Sequence, residues 1–222
     1  MSLPKSTVKM LAGIGFLALL ASGCATNRSE VRIGVTATTN PETGRYAKIS
    51  EVRDLRRFEV NPSNPSRESL GNADEIKDPA ITGRAYARKR NGFGKALGDV
   101  FLPEGQSVSG VVADAARQAL REKGYAVVED GSPYYGGALP LSLDIEHFWT
   151  WIRPGFWALE MRAESDVVMK GEALLGAPSQ PVHGEALINA QIAVESNWQE
   201  VSQKGLSDLV EKMKAKLRDP KN

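Results

Sequence analysis

Apolar and polar positions alternate most regularly in the second half of the chain. Leu141, Leu143, Ile145, Trp149 and Trp151 share one parity between Leu141 and Ile152, which predicts a strand with one buried face. Arg153-Pro154-Gly155 predicts a turn. Beyond it Trp157, Leu159, Met161, Ala163, Val167 and Met169 share a face, with Glu160, Arg162, Glu164 and Asp166 opposite. After a Gly/Pro break, Val182, Gly184, Ala186, Ile188, Ala190, Ile192 and Val194 alternate as a third strand. The period changes to that of a helix in two places. Val108, Val111, Val112, Ala115, Ala119 and Leu120 mark a helix from about Ser107 to Lys123, with Gly124 placed as its C-terminal cap. Val201, Leu206, Leu209, Val210, Met213 and Leu217 mark a final helix, with Asn197 as its cap.

The first half is less regular. Tyr46 to Phe58 alternates weakly and reads as a strand, and Tyr125 to Glu129 as a short one. Asn61 to Pro79 carries Pro62, Pro65 and Pro79 among turn formers, which predicts a long excursion, and the irregular stretch is read as one loop over 59–105. The expected order is β-(long loop)-α-β-β-β-β-α. An α+β fold follows, an antiparallel sheet of about four strands with one wet face and two helices packed on the other.

Composition and charge add an address. Lys5 and Lys9 precede Met10 to Gly23, a run of fourteen uncharged residues whose last four, Leu20-Ala21-Ser22-Gly23, lead into Cys24. A membrane-spanning helix needs about 20 apolar residues, so this run suits the apolar region of an export signal. Small residues lead to the only cysteine of the 222 residues. The pattern resembles a lipobox, with Ala21 where Leu is commoner. The expectation is a signal peptide over 1–23, cleavage after Gly23 and lipidation of Cys24. Each buried methylene of the acyl chains adds about 0.8 kcal/mol to anchoring. Ala25 replaces the aspartate that retains lipoproteins at the inner membrane of Gram-negative cells, which favours the periplasmic face of the outer membrane. Residues 24–45 are expected as lipidated N-terminus and polar tether, with a short strand at Val31 to Val35, and 46–222 as one periplasmic domain.

Without residues 1–23 the basic residues fall from 28 to 26 against 27 acidic ones, and the formal charge passes from +1 to −1. A near-neutral body provides no field for nucleic acid. With its one cysteine lipidated, the domain is held by packing alone.

Several segments invite chemistry. His147 and His183 are the only histidines, on different strands, and no HExxH or Cys/His set occurs, so neither metal nor cofactor is expected. Gly92-Phe93-Gly94-Lys95 lacks the spacing of a phosphate loop. Arg84, Arg88, Lys89, Arg90 and Lys95 place five cations and no acid in twelve residues, a candidate surface for phosphates or an acidic partner. Asp74, Glu75 and Asp78 are candidate neutralising partners. Phe148, Trp149, Trp151, Phe156 and Trp157 crowd the hairpin beside Arg153. Parity sends Trp149, Trp151 and Trp157 to the core and leaves Phe148 and Phe156 as exposed docking residues.

The runs Arg88-Lys89-Arg90-Asn91, Lys95-Ala96-Leu97-Gly98-Asp99 and Leu102-Pro103-Glu104-Gly105-Gln106 resemble a group of uncharacterised bacterial lipoproteins. So does the hairpin Phe148-Trp149-Thr150-Trp151 with Pro154-Gly155-Phe156-Trp157. The helix-then-hairpin half is more loosely similar to the YajG-type lipoproteins. The resemblance implies the fold and the address and carries no catalytic residue. The functional expectation is a membrane-anchored, periplasm-facing, non-enzymatic accessory or binding module of the cell envelope, with an unidentified envelope protein as partner. The alternatives are an envelope hydrolase or small-ligand binder using His183, Glu185 and Glu160 on the wet face, and a structural component of a flagellar or transport assembly.

Overall fold

The computed structural model describes residues 28–91 and 95–220. Its axis is β8 (Leu139–Pro154), the longest strand. One edge of β8 pairs antiparallel with β9 (Leu159–Lys170), from Ser142 opposite Lys170 to Pro154 opposite Leu159, and β9 pairs antiparallel with β10 (Ser179–Ala190). The other edge forks. Its first half takes β2 (Tyr46–Asp54) in parallel, from Ala47 opposite Leu139 to Asp54 opposite Ile145. Its second half takes β5 (Ala85–Arg90), also parallel, with Ala87 opposite Thr150. The short β7 (Ala126–Val127) extends the first branch, and β6 (Ala96–Phe101) followed by β1 (Ser29–Glu30) extends the second.

A fork strands backbone carbonyls that need donors. Arg56 supplies them from a side chain buried at the junction. Its guanidinium donates to the carbonyls of Ala85 (2.7 Å), Thr82 (2.8 Å) and Phe148 (3.4 Å), and it holds Asp54 in a two-pronged pair at 2.8 and 2.7 Å.

Among the described residues four α-helices accompany the sheet, two of them single turns: α1 (Pro79–Thr82) and α3 (Glu172–Leu175). The two long ones are α2 (Val108–Lys123) and α4 (Glu195–Lys216), as their periodicity predicts. Ser107 starts α2, its hydroxyl accepting from the Gly110 N–H at 3.1 Å. Gly124 ends it in the left-handed region at φ 105°, which a Cβ would resist. Asn197 lies inside α4 rather than at its cap, and its side-chain oxygen accepts from the Val194 N–H at 3.2 Å. Both helices lie on one face of the sheet, where Val112, Leu120, Leu143, Ile145, Met161, Leu206 and Leu209 belong to one core. Helix α4 approaches β9 and β10 through glycine. A Cβ on Gly184 would lie 2.8 Å from the Leu209 Cβ, and one on Gly205 would lie 3.0 Å from that of Ala163.

The α+β class and the two helices on one face stand, but three expectations are corrected. The main sheet has eight strands rather than about four, and it is mixed, because β2, β5 and β7 return by crossovers and join in parallel. The long loop over 59–105 is not one loop. Residues Ala85–Arg90 and Ala96–Phe101 are β5 and β6 of the main sheet, and Glu59–Val60 (β3) and Ser69–Leu70 (β4) pair in a small parallel sheet. From Arg28 onward the expected tether is part of the body. Val31 and Ile33 are buried in the main core, Asn40 donates to the Val127 carbonyl at 2.8 Å, and Gln203 accepts from the Gly34 N–H at 3.2 Å. No strand forms at Val31 to Val35, and the strand beside it is Ser29–Glu30.

Candidate functional site

A β-bulge determines what the outer face of the sheet presents. Ile145 pairs with Val167 and His147 pairs with Asp166, which leaves Glu146 as an extra residue without a partner. One inserted residue inverts the parity of everything that follows. Before the bulge Leu141, Leu143 and Ile145 face the helices. After it Phe148 and Ile152 take over that face within the main core, and the Thr150 hydroxyl meets that of Ser202 on α4 at 2.9 Å. His147, Trp149 and Trp151 are sent to the other face.

The excursion after β2 covers that outer face in part. The Trp149 indole N–H donates to the Pro65 carbonyl at 3.1 Å, and its ring meets Phe58 edge-on at 6.0 Å. Beside it, Leu70, Ala85 and Phe101 form a second small core with Phe58, Ile76 and Ile81. The excursion also carries the buried carboxylate Glu68, which takes His147 Nδ1 at 2.5 Å and the Phe148 N–H at 3.3 Å.

Where this cover stops, a cleft of about 620 Å³ opens, with Leu55, Arg57, Asn64, Ser66 and Arg67 on the side of the excursion. Glu68, Glu146, His147, Glu164 and Asp166 line the rest. The geometry follows from the bulge and from β9, whose Glu164 and Asp166 stand opposite Trp149 and His147. Asp166 also holds His183 Nδ1 at 2.7 Å across the β9–β10 ladder. That hydrogen bond, with the charges of Asp166, Glu164 and Glu185 behind it, raises the His183 imidazole above its ordinary value. Four carboxylates face two guanidinium groups and one His147, so the cleft is acidic and suits a cationic group.

Below the bulge a second charged set spans three strands. Asp144 receives the Arg53 guanidinium at 2.7 and 2.6 Å and the Lys170 ammonium at 2.6 Å. The hydrogen bonds from Arg53 and Lys170 hold its carboxyl down at about 2. This set ties β2, β8 and β9 together. Among the described residues no cluster of three or more His, Cys, Asp or Glu is arranged to hold a metal ion.

The basic stretch does not form one surface. The Arg88 guanidinium is buried against Asp99 at 3.3 Å, where burial raises the Asp99 carboxyl and the Arg88 charge opposes the rise. Arg84 pairs with Glu30 and donates to the Leu102 carbonyl at 2.9 Å. Lys89 donates to the Ser29 hydroxyl at 2.6 Å, and Arg90 to the Pro62 carbonyl at 2.8 Å. Lys95 is the exposed member, at the β5–β6 turn. Arg84, Lys89 and Arg90 thus fasten β1 and the excursion to the sheet, while Arg88 ties β5 to β6. Of the expected neutralising partners, Glu75 pairs with Arg28, Asp74 with Lys77, and Asp78 caps α1.

At the hairpin Phe156 is exposed as expected, at 89 %, with Arg153 also exposed beside it. Phe148 is a correction. It is 6 % exposed in the helix-side core, because the bulge inverts its parity. Trp157 is a second correction, 84 % exposed instead of core-facing. Strand β9 begins only at Leu159, so its alternation does not extend through the turn that the Gly155 N–H closes on the Ala158 carbonyl at 3.0 Å. His183 borders the cleft through Asp166. Glu185 instead lies opposite Glu164 with its N–H on Asp208, and Glu160 sits near the hairpin end with Arg162. Cys24 and Gly23 lie outside the described residues, as do Gly92, Phe93 and Gly94. Sequence reasoning missed Glu68, Arg57 and Arg67 as site residues. The one local signal was the broken alternation at Ile145-Glu146-His147-Phe148.

No known protein-family model matches the chain, and no curated protein matches it. Among solved structures, one uncharacterised protein is 10 % identical over 85 % of this chain and 95 % of its own, with a TM-score of 0.43. A Xanthomonas campestris protein of the DUF330 family is 9 % identical over 85 % of this chain and 89 % of its own, with a TM-score of 0.37.

Proposed function

We propose that this chain is a lipid-anchored, periplasm-facing lipoprotein acting as a non-enzymatic accessory or binding module of the bacterial envelope, with an envelope protein as partner. The anchor reading rests on the lipobox-like run ending at Cys24, and the likeness to YajG-type lipoproteins belongs to the same proposal. The binding reading is carried by one observation, the acidic cleft over the β8 bulge. Glu68 and Asp166 there are each engaged by a histidine, while Glu146 and Glu164 line the cleft with no ion pair of their own among the described residues. Such a site fits a lysine- or arginine-bearing segment of a partner.

In-cell photo-crosslinking from Asn64 and Leu55 at the cleft, with Lys123 on α2 as a remote control, tests this. Discrete adducts from the cleft positions that vanish in an Glu146→Lys/Glu164→Lys variant are expected. Identical patterns from all three positions would refute it.

The His147–Glu68 pair favours a second reading, a hydrolase with an oriented base. Ser66 lines the same cleft, but its hydroxyl donates to Asn64 Oδ1 at 2.9 Å. Hydrolysis of an ester or amide substrate that is lost in both His147→Ala and Ser66→Ala would favour this reading over the first.

A further inference from the structure

The ends of the sheet differ in what they expose. At the end where β8 turns into β9, Phe156 and Trp157 stand 89 % and 84 % exposed, with their rings edge-on at 4.7 Å. The same end receives the last residue of β10, because Ala190 pairs with Leu159. The next residues before α4 include Ile192 at 66 % and Val194 at 43 % exposure. The end of β5 and the start of β6 reach this end too, since β5 runs parallel to β8, and they bring Leu97 (43 % exposed) and Lys95. Among the described residues, five of the nine exposed large apolar side chains therefore gather at one end, which scattered surface residues would not do.

The direction of β1 adds the second observation. Strand β1 runs parallel to β6, and β6 runs antiparallel to β5, so the chain enters β1 from the end that carries Phe156 and Trp157. Ser29, level with Thr150 in the sheet, is tied toward that end by its hydroxyl, which donates to Glu195 at 2.5 Å, one residue beyond Val194. Only residues 25–27 separate Cys24 from Arg28, and four Cα–Cα steps span at most about 14 Å. An acyl chain on Cys24 would keep the side from which the chain enters β1 within reach of the bilayer.

We infer that the sheet end bearing Phe156, Trp157 and Ile192 seats on the lipid surface beside the acylated Cys24, with the two aromatic rings in the interfacial region. The inference rests on the lipidation proposed above. Aromatic rings favour the depth of the headgroups, and the exposed Lys95 and Arg153 at this end complement anionic phosphates. The acidic cleft then opens on the flank of the body, where a partner in the aqueous space reaches it.

The chain's four tryptophans make the seating measurable, because Trp149, Trp151 and Trp198 are buried and Trp157 is not. The experiment uses the full chain matured in cells and reconstituted in vesicles of three parts phosphatidylethanolamine to one part phosphatidylglycerol, with bromine on the upper acyl carbons. Mass spectrometry of the same sample reads Cys24. With Cys24 acylated, bromolipid is expected to quench up to about a quarter of the tryptophan emission, in proportion to one residue of four. Trp157→Phe should abolish the quenching, and it leaves the fold intact because the side chain touches little of the body. Acylated Cys24 with unquenched Trp157, open to aqueous acrylamide, would overturn the seating and leave the anchor standing. Acylated Cys24 with Trp157 shielded from both quenchers would also overturn it, in favour of a protein contact. An unmodified Cys24 would overturn both readings.

Discussion

Replacing Phe148 and Phe156 one at a time by alanine separates two descriptions of the same hairpin. Strict alternation from Leu141 makes both exposed and nearly interchangeable. The bulge at Glu146 makes them opposites, with Phe148 6 % exposed in the core under α4 and Phe156 89 % exposed at the turn. Truncating a buried phenylalanine removes its transfer free energy and leaves a cavity, about 3–5 kcal/mol in all. A surface change away from special contacts stays within about 0.5 kcal/mol. For a domain of this size the urea slope is about 2–3 kcal/mol per molar. Phe148→Ala should thus lower the unfolding midpoint by about 1.5 M, and Phe156→Ala by no more than about 0.2 M. Helical circular dichroism followed through a urea titration reads both, with equal slopes as the control for a comparable unfolded state. In a thermal scan each kcal/mol corresponds to about 2–4 °C. A Phe148→Ala loss below about 1 kcal/mol, or equal losses from the two variants, would refute the inverted parity.

Three further outcomes follow from the packing and the charges. Asp144 has its pKa lowered from 3.8 to about 2, so its contribution is complete above 3.8 and is lost as pH falls through about 2. That gap corresponds to about 2 kcal/mol, reduced to about 1 by the exposure of Arg53 and Lys170, and Asp144→Asn should remove this part of the acid dependence in pH-resolved urea melts. His183 is raised above 6.5, chiefly by its hydrogen bond to Asp166. The protonated form is therefore the stabilised one, its effect complete below 6.5 and lost as pH rises through the folded value. An NMR titration should find it above 6.5, and Asp166→Asn should lower it; an unchanged value would contradict the pairing. Gly184→Ala pushes a Cβ to 2.8 Å from both the Leu209 Cβ and the Ser165 hydroxyl, and should destabilise by about 1–3 kcal/mol in the same assay.

Local pattern by itself determined much of the second half of this protein. The periods of two and 3.6 placed β8, β9, β10, α2 and α4 within a few residues of their observed bounds, because each buries a stripe or face, which in β8 is continuous only up to the bulge. Gly124 marked the end of α2, since only glycine takes the left-handed turn there without strain. Local pattern could not determine which distant strands fill the forked edge of β8. Strands β5 and β6 carry arginines and glycines that read as a loop, and they are strands because Asp99 answers Arg88, and because Ser29 and Glu30 answer Lys89 and Arg84. The cleft was equally out of reach. It depends on one unpaired residue, Glu146, that inverts a strand, and on Glu68, about eighty positions earlier, arriving under His147. Sequence spacing along one strand records neither event, because a bulge is defined by its partner strand and an ion pair by the fold that joins its ends.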